Sequence, residues 1–157
     1  MTAPNILLTR IDNRLVHGQV GVTWTTALGA NLLVVVDDVT AADEMQQKLM
    51  AITADQVGVG IRFFTVEKTI AVIHKASPAQ QIFLICRTPA TVRRLVDSGV
   101  PIRDVNVGNM HFSEGKRPLS KKVYVDDADL ADLRALKAAG INVFIQDTPG
   151  DTKDTIQ

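Results

Sequence analysis

Leu32-Leu33-Val34-Val35-Val36 and Ile82-Phe83-Leu84-Ile85-Cys86 are runs without one charged or hydroxyl-bearing side chain. A strand with one wet face alternates apolar and polar residues. Continuous apolarity marks strands covered on both faces, as in a parallel sheet. Working outward, shorter apolar runs at residues 5–9, 61–65, 104–107, 123–125 and 142–145 complete a set of expected strands. Helical patterns lie between them at residues 18–28, 42–54, 66–75, 89–98 and about 128–139. The second of these, ADEMQQKLMAITA, puts Met45, Leu49 and Ile52 on one side, the apolar stripe of an amphipathic helix. Pro89 suits a first helical turn, and Gly140 suits a helix end. Strands alternating with helices make an α/β domain with a mostly parallel sheet and right-handed crossovers.

The 157 residues form one expected domain, ending in a polar tail, residues 150–157, that should fray. Seventeen basic residues balance 17 acidic ones, so no global field favours nucleic acid or a membrane surface, and any anion site must be local. The apolar runs are too short to cross a bilayer, and the N-terminus lacks the pattern of a signal peptide, so a cytoplasmic location is expected. Cys86 is the only cysteine; inside QIFLIC it reads as a buried structural thiol.

In open α/β sheets ligands bind beyond the carboxyl ends of strands, where strand order reverses. The segment leaving the first strand is Arg10-Ile11-Asp12-Asn13-Arg14-Leu15-Val16-His17-Gly18-Gln19-Val20, dense in polar chemistry between an apolar strand and an apolar helix. Phosphoryl transfer through histidine needs a neutral ring nitrogen near pH 7, which an ordinary histidine, with a pKa of about 6.5, supplies. It also needs donors already placed around the incoming charge. Arg14 offers a planar fork for phosphate oxygens, and the backbone amides from Gly18 onward offer a helix N-terminus. Asp12 is placed either to orient Arg14 or to fix the imidazole tautomer. An ordinary solvated segment carrying a surface ion pair accounts for the same residues equally well on motif chemistry alone.

Other candidates each have a plainer account. Arg87 and Thr88 open a helix after the fourth strand, where an anion would fit if that strand flanks the first; simple capping by Thr88 is the competing role. His111 or Asn109 would rim the same cleft if the fifth strand neighbours the first, and His111 is as well read as a structural loop residue. Asp37 and Asp38, and the run Asp126, Asp127 and Asp129, suit helix capping better than metal binding. Trp24 reads as packing and His74 as structural or surface. The basic cluster Lys116, Arg117, Lys121 and Lys122 is a solvated face or a docking aid.

The string RIDNRLVHGQVGVTW, residues 10–24, resembles the active-site signature of IIB components of the mannose/sorbose phosphotransferase family. VVVDD at 34–38, QQKLM at 46–50 and NVGNMHF at 106–112 resemble the same family in the same order, so the likeness spans nearly the whole chain. It is greatest to the members serving galactosamine and N-acetylgalactosamine.

The resemblance implies an open, mostly parallel seven-stranded sheet with helices on both faces. It makes His17 the phosphoryl acceptor through Nδ1 and Arg14 the phosphate-stabilising residue. Arg10 and Asp12 match the flanking positions of that motif; with Gly18 and Gln19 at the following helix start and Thr88 and His111 on the neighbouring loops, they are the candidate phosphate- or substrate-binding positions. It further implies a cytoplasmic phosphotransferase enzyme charged by a IIA protein, acting with membrane subunits IIC and IID on an incoming sugar, with no metal or nucleotide cofactor. A homo-oligomer stays open. A receiver-like signalling module is the alternative, but it would need carboxylates after the first strand and an acceptor aspartate after the third; Arg10 to His17 and Val66 to Lys68 stand there instead.

Overall fold

A computed structural model describes residues 3–156, without the side chains of Gln19 and Val20. The chain runs β1 (Asn5–Asp12), α1 (Gly18–Leu28), β2 (Leu32–Val36), α2 (Asp38–Ala41), α3 (Glu44–Gln56) and β3 (Gly60–Phe64). It continues α4 (Val66–Val72), a 3-10 turn (Ile73–Lys75), β4 (Gln81–Cys86), α5 (Pro89–Asp97) and β5 (Asp104–Asn109). Then follow β6 (Arg117–Ser120), β7 (Val123–Val125), α6 (Asp127–Ala138), β8 (Asn142–Ile145) and β9 (Asp154–Thr155).

Seven strands form one sheet in the order β3-β2-β4-β1-β5-β8-β9, parallel throughout except for β8 with β9. The apolar runs of β2 and β4 are buried over residues 32–36 and 82–86, and they pair with each other from Leu32–Ile82 to Val36–Cys86. Continuous apolarity thus does mark central strands. One face packs under α4, α5 and α6 through Val66, Val92, Leu95, Leu130, Leu133 and Leu136. The opposite face packs under α1 and α3 through Trp24, Met50 and Ala54. Cys86 is fully buried, and desolvation pushes its thiol far up, so it is an inert core residue.

Capping aspartates and threonines start most helices. Asp37, Asp43, Thr65, Thr88 and Asp126 each accept from a first-turn amide of α2, α3, α4, α5 and α6, and Asp126 closes a capping box with Asp129. Helix α1 differs: its N-cap is His17, whose side chain makes no capping bond.

Three sequence expectations need correction. The seventh strand of the sheet is β9, while β7 pairs with β6 in a separate hairpin whose Val123 bridges to Met110 after β5. The tail expected to fray supplies β9, because Ile156 is only 1% exposed and anchors it in the core. The stripe Met45, Leu49 and Ile52 faces outward, at 72%, 56% and 56% exposure. Met50 and Ala54, on the other side of α3, take the core, and in this rotation the Gln47 side chain donates to the Thr40 carbonyl at 2.9 Å. The helix carries apolar residues on both sides, so periodicity alone could not choose.

These placements separate two substitutions of similar chemistry. Ile156→Ala should lower unfolding free energy by about 2–5 kcal/mol in urea titration, as expected for a buried large-to-small change. Met45→Ala should fall within about 0.5 kcal/mol of the parent protein.

Candidate functional site

Strand β1 is the sheet's switch point: β4 flanks it on one side and β5 on the other, while α1 leaves its carboxyl end. Side chains alternate along a strand, so Arg10 and Asp12 share the face that also carries Leu8 and lies under α1. Both are buried, at 2% and 0% exposure.

After Asp12 the chain turns sharply. The Leu15 amide donates to the Asp12 carbonyl at 3.0 Å, and the Arg14 amide donates to Asp12 Oδ1 at 2.9 Å. Leu15 adopts φ 59°, an uncommon conformation for a bulky residue, and it is held there by burial of its side chain at 3% exposure. Leu15 and Val16 act as plugs that seat the turn on the core, leaving Arg14 exposed and His17 one-fifth exposed. Gly18 follows at φ 21°, where a side chain would be strained.

The His17 ring turns back to Asp12, with Nε2 3.1 Å from Oδ2. The same oxygen accepts from Arg10 Nη2 at 3.2 Å and Nε at 3.3 Å. Burial by itself pushes the Asp12 carboxyl up; the His17 ring N–H, the Arg14 amide and the Arg10 guanidinium outweigh it and hold the carboxyl below its ordinary value. An ionised carboxylate only accepts hydrogen bonds. The contact therefore requires the proton on Nε2, which leaves Nδ1 as a bare lone pair when the ring is neutral.

Arg10 is the centre of a second layer. Its Nη1 donates to Asn106 Oδ1 at 2.5 Å and to the carbonyls of Gln146 and Asp147 at 3.2 and 3.0 Å. The guanidinium lies 5.4 Å from the centroid of Trp24, whose indole N–H donates to the Asp147 carbonyl at 2.8 Å. Burial lowers the Arg10 pKa and Asp12 opposes that shift. On the far side stands Gly108, where a Cβ would fall on the guanidinium carbon. The glycine makes the space that the arginine fills.

A third set of bonds joins the loops. The Asn13 amide donates to the Asn109 carbonyl at 3.0 Å, and Asn13 Oδ1 accepts from the His111 amide. The Asn13 carbonyl accepts from Arg87 Nη1 at 2.7 Å, while Arg87 also pairs with Asp37 at 3.2 Å. The turn after β1 is thus tied to the ends of β2, β4 and β5.

Comparison with known proteins places this arrangement. The family described as PTS system sorbose subfamily IIB component matches residues 6–157. The chain belongs to that family. It is 73% identical to the N-acetylgalactosamine-specific phosphotransferase enzyme IIB component 1 of Escherichia coli strain K12, over 99% of each chain. The crystal structure of the N-acetylgalactosamine-specific IIB component 1 from Escherichia coli superposes with a TM-score of 0.96 at 72% identity, covering 98% of this chain and all of that one. The mannose-specific EIIAB component of the same K12 strain is 37% identical, with 93% of this chain matching 45% of its length.

IIB components are phosphotransferases of the sugar phosphotransferase system, and this chain is one of them. Such components work with IIA and with the membrane subunits IIC and IID. No helix among the described residues is long and apolar enough to cross a membrane.

Against that family frame, the candidate residues divide. His17, Asp12, Arg14 and Gly18 lie together in one turn. Arg10, expected beside phosphate, is enclosed by protein and spends its donors on Asp12, Asn106 and two carbonyls. Thr88 sits on the neighbouring strand's exit, where its hydroxyl accepts from the Thr91 amide as the cap of α5. His111 is exposed and lines the depression that Arg14 also lines. The Gln19 side chain lies outside the described residues. Sequence reading missed Asn13 as the knot of three loops, and Asn106, Gly108 and Gln146 as the cradle of Arg10. Asn13 lies inside RIDNRLVHGQVGVTW and Asn106 and Gly108 inside NVGNMHF, while no quoted stretch includes Gln146.

The cradle makes a strong demand on position 108. Gly108→Ala should cost several kcal/mol in denaturant unfolding, since the methyl group displaces a buried, paired guanidinium. Acid titration offers a second check. A carboxyl held below its ordinary pKa stabilises the fold above about pH 4 and loses that contribution as pH falls through its folded value. The stability gap between the parent protein and Asp12→Asn should therefore be full at neutral pH and shrink below about pH 4.

Proposed function

We propose that His17 accepts a phosphoryl group on Nδ1 from a phosphorylated IIA protein. It then passes that group to N-acetylgalactosamine or galactosamine entering through IIC and IID. The observation that carries this reading is the 3.1 Å contact between His17 Nε2 and the buried Asp12 carboxylate, which commits Nε2 as donor. The sugar rests on the names of the similar IIB components, and the cytoplasmic, peripheral location on the same family likeness.

The chemistry follows from that proton. The Nδ1 lone pair attacks phosphorus as the N–P bond to the donor's imidazole breaks, and a new N–P bond forms at His17. The ring keeps its Nε2 proton throughout and becomes cationic, so a fixed carboxylate beside Nε2 stabilises charge as it develops. In the second half the sugar hydroxyl oxygen attacks phosphorus and the His17 N–P bond breaks. The hydroxyl proton goes to solvent and the neutral ring returns. No metal is needed in either step, because donors of this chain meet the phosphate charge. Arg14 is exposed next to His17 and its guanidinium has no partner among the described residues. The first amides of α1 carry no side-chain cap, unlike those of the other helices. Uncapped amides and an exposed, unpaired fork are what an arriving dianion uses.

His17→Ala should abolish labelling by phosphorylated IIA while keeping a cooperative unfolding transition, lowered by about 1–3 kcal/mol for the donor lost to Asp12, and labelled His17→Ala protein would sink the proposal. Asp12→Asn should slow labelling by about 10²-fold or more, since an amide N–H facing the ring favours the wrong tautomer. Nitrogen NMR of the His17 ring separates tautomer reversal from loss of fold.

A further inference from the structure

A peptide group has two edges, and at Asn13–Arg14 side chains hold both. The Arg14 amide donates to Asp12 Oδ1 at 2.9 Å, and on the other edge the Asn13 carbonyl accepts from Arg87 Nη1 at 2.7 Å. Arg87 reaches this carbonyl from the exit of β4, and the rest of its fork is anchored behind. Its Nε donates to Asp37 Oδ1 at 3.3 Å, and Nη2 donates to Asp37 Oδ2 at 3.2 Å and to Thr40 Oγ1 at 3.3 Å. Asp37 is itself fixed, since it caps α2 by accepting from the Thr40 amide and hydroxyl. Burial by itself pushes the Asp37 carboxyl up; the bonds from Arg87 and Thr40 outweigh it and hold the carboxyl below its ordinary value, so the fork meets a full charge. Two plainer roles for Arg87 fit less well. Its side chain is 38% exposed, and an ion pair so open to water contributes little to folding. Its five N–H groups already serve four bonds within the protein, which leaves little for the anion expected there from sequence.

We infer that Arg87, anchored by Asp37, is a positioning residue for phosphoryl transfer that acts on His17 through the Asn13–Arg14 peptide and Asp12. The inference rests on His17 being the acceptor. A cation at a carbonyl oxygen draws electron density across the amide and makes the N–H on its far edge a stronger donor, as in any chain of hydrogen bonds. That N–H meets Asp12 Oδ1, while Asp12 Oδ2 faces the His17 ring nitrogen. Holding Oδ1 fixes the plane of the carboxylate, and with it the direction from which Oδ2 meets Nε2. The same peptide sets where the Arg14 side chain leaves the backbone. One clamp thus orients the imidazole and the fork beside it, and it is built from the ends of β2 and β4, outside the turn itself.

The test uses two donors, phosphorylated IIA of the same transport system and phosphoramidate, a small donor that needs no docking. Arg87→Ala should slow His17 labelling about tenfold with both, while KM for phosphorylated IIA stays within about twofold of the parent value. Nitrogen and proton NMR of the folded variant should show the Nε2–H tautomer of His17 less populated and the Arg14 amide proton moved upfield. Asp37→Asn keeps the cap of α2, because asparagine caps as well as aspartate, and it removes the charge that anchors the fork. It should move the same signals in the same direction and slow both donors, which keeps the test sound if Arg87→Ala folds poorly. Parental rates and parental NMR signals in both variants would overturn the inference. So would a loss confined to phosphorylated IIA with a raised KM, which makes Arg87 a donor contact. Slowed transfer with unmoved His17 and Arg14 signals would overturn it too, in favour of a direct phosphate contact. Failure of the His17 reading looks different: mass spectrometry would then find the label of the parent protein on another residue.

Discussion

A carboxylate with no access to water cannot stand alone. Asp12 is wholly buried, and everything at the carboxyl end of β1 is arranged to answer its charge. Three kinds of donor do so: a guanidinium from two residues before it, a backbone amide from two residues after, and an imidazole N–H from five residues after. Removing one partner of a buried ion pair costs far more than an exposed pair gains, so these contacts bind the turn's geometry to the stability of the fold. The ring orientation and tautomer of His17 follow as consequences.

The need to bury Arg10 reaches well beyond β1. Its donors require Asn106 from β5 and two carbonyls from the segment after β8, and its carbon plane requires the missing Cβ of Gly108 and the face of Trp24 from α1. Those elements lie next to one another only because the strand order places β5 and then β8 on one side of β1. Asn13 and Arg87 tie the same turn to β4 and β2 on the other side. Sheet topology is in this sense part of the site: a change in strand order would leave a charged pair in the core without its partners.

Much of this was legible in the sequence because its causes are local. Unbroken apolarity in residues 32–36 and 82–86 needs no distant partner to mark a covered strand. Capping aspartates at 37 and 126 announce helix starts within one turn. The polar density of the turn was visible in residue types at short spacing, and the phosphoryl reading of it came from the family resemblance. What stayed hidden depends on long-range packing. Arg10 differs from Arg14 in burial: the pleat of β1 turns Arg10 to the face under α1, while Arg14 lies past the strand's end in the turn and is exposed. Met45, Leu49 and Ile52 form a stripe in sequence, yet Met50 and Ala54 are the residues of α3 that pack on the sheet. The polar tail conceals one apolar residue, Ile156, whose burial is enough to seat β9.

A phosphoryl carrier faces opposing demands. The acceptor nitrogen must be held in one protonation state through each transfer, which favours a rigid, desolvated neighbour. The group it carries must also reach two different partners, which favours an open surface with side chains free to move. With His17 as the acceptor proposed above, the chain separates these demands by depth. Asp12, Arg10 and Gly108 form the fixed layer behind the ring, while Arg14, His111, Phe112 and Lys121 lie in front and are exposed. His17, one-fifth exposed, is the single residue of this group that belongs to both layers. A ring moved fully outward would lose the carboxylate that sets its tautomer, and one moved fully inward could not meet a second protein. The turn through Leu15, strained but seated by its own side chain, sets the depth between those failures.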